Sequence, residues 1–120
     1  MVSVVDQAVR ALLNEEQRKT WDTYRYFEET ILGREYVFQG IGEGPLRSDL
    51  VARVWRKEGD YFYTRCLSVG SIRDDTISYG NYVLVTILLL TRNGHPLGAM
   101  TSGGITKQDL LTELQKTKAK

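Results

Sequence analysis

Apolar positions in the first third of the chain recur with a helical period. Val5, Ala8, Val9, Leu12 and Leu13 fall at i, i+3, i+4, i+7 and i+8, the stripe of an amphipathic helix, and Ser3 with Asp6 supplies a cap and an acidic first turn. This predicts a helix over residues 4–19. The stripe weakens through the solvated stretch Asn14–Thr20, then resumes with Trp21, Tyr24, Phe27, Ile31 and Leu32 before Gly33. Glu15 to Lys19 are good helix formers and no Gly or Pro intervenes, so one continuous or gently bent helix reaching Gly33 is preferred over two consecutive helices. Trp21, Tyr24 and Phe27 share a face, which reads as aromatic core rather than a ligand-stacking surface.

After Gly33 the period shortens to that of strands. Glu35–Gln39 is short and β-prone, and Leu50–Arg56 and Tyr61–Leu67 flank a KEGD turn centred on Glu58 and Gly59. Pairing Arg56 with Tyr61 places Leu50, Ala52, Val54, Tyr63 and Leu67 on one face. Val51, Arg53, Trp55, Phe62, Thr64 and Cys66 then lie on the other. The stretch Tyr82–Thr91 is apolar at nearly every position and predicts a long strand, with Asn93-Gly94 turning it into a partner strand near Leu97–Thr101. Thr106 caps a short C-terminal helix that carries Leu110, Leu111 and Leu114 on one side and ends in a lysine-rich tail. A strand apolar on both faces belongs in a sheet covered on both sides, and the N-terminal helix covers only one. The other cover is the C-terminal helix, a second copy, or a bound partner or ligand, and because that helix offers only three leucines, self-association or a permanent partner is the preferred expectation.

Composition narrows the class. A chain of 120 residues that is 42% hydrophobic and 26% charged suits a single α+β domain over residues 1–120, in which a long N-terminal helix packs on an antiparallel four- or five-stranded sheet closed by a short C-terminal helix. Sixteen basic against fifteen acidic residues leave a net charge of +1, which gives no bulk attraction to nucleic acid or to an anionic membrane. Cys66 is the one cysteine, so no internal disulfide forms. The N-terminal MVSVVDQAVR meets Asp6 too early for a signal peptide, and no run is long enough to span a bilayer. These features lead us to expect a cytoplasmic protein.

The candidate chemistry is sparse. Gln39–Pro45 (QGIGEGP) spaces its glycines like a phosphate loop, but it lacks a following helix and a Lys-Ser/Thr pair, so it reads as a connection between strands. Cys66 and His95 follow the chain order of some cysteine hydrolases. Cys66 falls inside a strand and His95 in a turn, an arrangement without the helix terminus that activates a thiol. One cysteine and one histidine in separate segments also fail to make a metal site of ordinary spacing. In Val69–Gly80 the adjacent Asp74 and Asp75 reach no further toward a calcium loop, so a solvated turn is expected. No catalytic residue, metal or cofactor is expected.

Two patterns point to binding instead. Residues 50–67 interleave Arg53, Trp55, Arg56, Lys57, Tyr61, Phe62, Tyr63 and Arg65, the mixture of rings and cations that single-stranded nucleic acids use, although Glu58 and Asp60 dilute the charge. Large rings alternating with cations also mark the centres of protein interfaces, and Arg53, Trp55, Phe62 and Arg65 are the candidate contact residues. Finally, Thr86–Gly104 (TILLLTRNGHPLGAMTSGG) resembles the strand–turn–strand segment of flavin-reductase-type split barrels. That resemblance implies approach to a flavin phosphate, but it covers fewer than one sixth of the residues and sits near the end of the chain rather than near the start of a longer domain. The reading that follows is a non-enzymatic binding or assembly protein, an adaptor or regulator acting as a homodimer or complex subunit. Single-stranded nucleic-acid binding through residues 50–67 is the first alternative, and a small flavin- or ligand-binding protein the second.

Overall fold

The computed structural model describes residues 4–43, 50–67, 83–95, 100 and 102–116. The expected long N-terminal helix is instead two short ones, α1 (Val4–Ala11) and α2 (Glu15–Tyr24). The break is chemical. Asn14 adopts an extended conformation as the N-cap of α2, its side chain accepting from the Gln17 N–H while the Gln17 side chain accepts from the Asn14 N–H, at 2.9 and 3.0 Å. This reciprocal capping box satisfies two donors that would otherwise be orphaned at the start of a helix. α2 then stops without a glycine. Arg25 takes the left-handed conformation (φ 65°), donates its N–H to the Trp21 carbonyl and lays its guanidinium over the Trp21 ring.

Tyr26, Phe27 and Ile31 therefore belong not to a helix but to a strand, β1 (Tyr26–Ile31), followed by β2 (Arg34–Glu43). Leu32 and Gly33 join them with φ of 52° and 80°, the two positive values of a type I′ hairpin turn, so Gly33 closes a hairpin rather than a helix. The strand pair β3 (Leu50–Glu58) and β4 (Tyr61–Leu67) turns through Gly59-Asp60. Arg56 faces Tyr63 and not Tyr61; a slip of two residues leaves every side chain on its expected face, because strand faces alternate with period two.

The apolar run forms a helix, α3 (Val83–Arg92), where a strand was expected. Leu84, Ile87, Leu88 and Thr91 are buried at i, i+3, i+4 and i+7, while Leu89 points outward and is 41% exposed. Asn93-Gly94 is correspondingly no hairpin turn. With φ of 85° at Gly94, the Gly94 N–H donates to the Thr91 carbonyl and the His95 N–H to the Leu90 carbonyl, which is a Schellman cap on α3. Of the expected partner strand, residues 97–99 and 101 lie outside the described residues; the strand that is described, β5 (Ser102–Ile105), starts later. The C-terminal helix α4 (Lys107–Gln115) forms as expected, with the Thr106 hydroxyl accepting from the Asp109 N–H.

Among the described residues the five strands make one antiparallel sheet in the order β1-β2-β3-β4-β5. The fold is thus α+β. On one sheet face, Phe27, Ile31, Phe38 and Val54 pack with Val9 and Leu13, with Trp21 of α2 and with Leu84, Ile87 and Leu88 of α3. On the other, Tyr26, Val37 and Phe62 pack with Leu110 and Leu114 of α4. Among the described residues the C-terminal helix is therefore what packs on the second face, and because the apolar run is helical, the strand with two apolar faces from which a partner was inferred is not there.

Candidate functional site

The face under α4 carries three of the four candidate contact residues. Arg53 and Trp55 alternate on β3, and register places Trp55 opposite Thr64 and Lys57 opposite Phe62, so all share that face. Phe62 lies in the chain's own core, 1% exposed beneath α4. Trp55 is half-buried at the margin of the same cluster. The Arg53 guanidinium sits over its ring, 5.9 Å from the centroid, and the indole N–H reaches Gln39 Oε1 at 3.5 Å, the limit of a hydrogen bond. Arg65 pairs with Val54 in the ladder; its side chain lies outside the described residues.

Beside this platform runs a chain of alternating charges with no counterpart in the sequence reading. Lys57 Nζ meets Glu35 at 3.0 Å, and Lys107, at the start of α4, bridges Glu28 at 3.1 Å and Glu35 at 3.4 Å. The hydrogen bond from Lys57, opposed by partial burial and helped by Lys107, holds the Glu35 carboxyl below its ordinary pKa. The hydrogen bond to Glu28 outweighs burial and raises the Lys107 ammonium, with Glu35 adding to the effect. A shallow depression of about 130 Å³ lies here, lined by residues including Glu28, Glu35, Phe62 and Lys107. A second, more open depression of about 450 Å³ is lined by Arg34, Glu35, Lys57 and Glu58, so charged groups dominate both, unlike the mostly apolar lining of an ordinary ligand pocket. At its far end α4 is tied down by Gln115, whose side chain donates to the buried Tyr26 hydroxyl at 2.9 Å.

A strong polar node lies among the described residues of the opposite face. Arg92 at the end of α3 grips both oxygens of Glu29 at 2.7 and 2.6 Å and also donates to the Leu12 carbonyl, while Gln17 donates to Glu29 and to the Glu28 carbonyl. Burial opposes the Glu29 charge. The hydrogen bonds from Arg92 and Gln17, with the Arg92 charge, overcome it and leave the pKa below its ordinary value. Glu29 and Arg92 stand 63 residues apart, so no local pattern could have joined them. Glu35 with Lys57 was legible in principle, as cross-strand neighbours once the register is known.

The remaining sequence candidates are not brought together among the described residues. His95 is exposed and serves the α3 cap through its backbone, and the Cys66 side chain lies outside the described residues. Gln39–Glu43 of the glycine-rich stretch belong to β2, which is irregular between Gly40 and Gly42; Gly44 and Pro45, like Asp74 and Asp75, fall outside the described residues. The flavin-reductase-like stretch does not begin as a strand and turn, since Thr86–Arg92 is helical and Asn93-Gly94 caps that helix. Among the described residues no group of three or more His, Cys, Asp or Glu side chains is placed to hold a metal, and no helix is long and apolar enough to cross a membrane. Comparison with protein-family models, with curated proteins and with solved structures finds no match for this chain.

Proposed function

We propose that this chain is a non-enzymatic binding or assembly protein, an adaptor or regulator of the cytoplasm that works through protein contact as a homodimer or complex subunit. The observation that supports the reading is Trp55: a large ring left half-buried on a sheet face at the margin of the α4 cluster, with the Arg53 guanidinium over it. Tryptophan and arginine held together in this way are the residue types that dominate interface energetics. Phe62 is buried in the same cluster beneath α4, so the proposed contact rests on Trp55 and Arg53 rather than on its ring. Nucleic-acid binding through residues 50–67 fits less well. Arg53 occupies a ring face on which a base would stack, and the neighbouring Lys57 is committed to Glu35. A flavin- or ligand-binding role has less behind it too, because the depressions beside the platform are open and lined mainly by charged side chains, Glu35 in both, rather than by the apolar walls of an ordinary ligand site.

The test is a dimerisation isotherm by sedimentation equilibrium. The wild type should exceed the 13.7 kDa monomer mass, and Trp55→Ala should weaken association by more than about 1 kcal/mol. A wild type that stays monomeric at every concentration would contradict the homodimer.

A further inference from the structure

We draw no further inference here: the strongest candidate, the side-chain cluster on the α1–α3 face of the sheet in which Arg56 stands between Tyr36 and Tyr63 with a buried Nε that meets no acceptor, carries nothing because that atom is closed to solvent and nothing among the described residues shows a cavity or a ligand reaching it.

Discussion

The two faces of the sheet solve the same burial problem with different materials. Against α1, α2 and α3 the sheet presents phenylalanine, isoleucine and valine to tryptophan and leucine, with Phe27 stacked on Phe38 at 5.2 Å and edge-on to Trp21 at 6.0 Å. Its strongest polar feature is compact: Glu29 and Arg92, 15% and 30% exposed, joined by a two-pronged bond. Against α4 the apolar patch is smaller, and it is bordered by exposed ion pairs and by a tryptophan that the helix does not fully cover. The first face is built to hold the fold together. The second holds α4 and leaves Trp55 half-buried at its margin, and it is there that the proposed partner contact would lie.

Substitutions on the two faces should differ in size and in what they unfold. Phe38→Ala removes the ring at the centre of the first cluster and should cost about 3–5 kcal/mol, read as a fall in the denaturant midpoint. Leu110→Ala cuts into the α4 cluster and should cost less, about 2–3 kcal/mol, with amide exchange rising in α4 before it rises in β2 or α3. Equal losses at Phe38 and Leu110, with exchange rising everywhere together, would mean that the two faces form one cooperative core and that the contrast is false.

Polar substitutions carry the comparison further down in size. Glu29→Gln should cost about 1–2 kcal/mol at neutral pH, because it strips a charge-assisted pair while leaving Arg92 half-buried. Since the folded-state pKa of Glu29 is lowered, its contribution is complete above the unfolded carboxylate value and is lost as the pH falls through the lower folded value. Wild type and Glu29→Gln should therefore converge in acid, which a pH series of denaturant midpoints would reveal. Lys107→Ala, by contrast, removes ion pairs from an ammonium that is 47% exposed and should cost less than about 1 kcal/mol, vanishing in high salt.

How far the sequence could be read follows from which signals are local. The β3–β4 hairpin and the α4 cap were legible, because alternation and a capping threonine act over a few residues, and even a two-residue register slip kept Trp55 and Phe62 together on one face. The run to α3 was misread because a segment apolar at almost every position carries neither period clearly, and Asn93-Gly94 suits a helix cap as well as a hairpin. Residues 26–31 read as helix because both interruptions of the helical stretch are inconspicuous: between α1 and α2 a capping box formed by Asn14 and Gln17 among good helix formers, and between α2 and β1 an arginine in a conformation that glycine usually takes. At the site, the pairing of Arg53 with Trp55 was visible as alternation along one strand. The burial of Phe62 was not, since it depends on a helix that begins 45 residues later.

On the proposed reading the α4 face divides into a core half and a contact half, with Phe62 in the first and Trp55 in the second. The most direct measurement compares the denaturation of Trp55→Ala and Phe62→Ala under one set of conditions, alongside the association of each variant that remains folded. Phe62→Ala should lose about 3–5 kcal/mol of stability, whereas Trp55→Ala should keep a cooperative transition close to that of the wild type and lose association instead. If Trp55→Ala is destabilised as severely as Phe62→Ala, with no separable loss of association, Trp55 is a core residue and the contact surface proposed here does not exist.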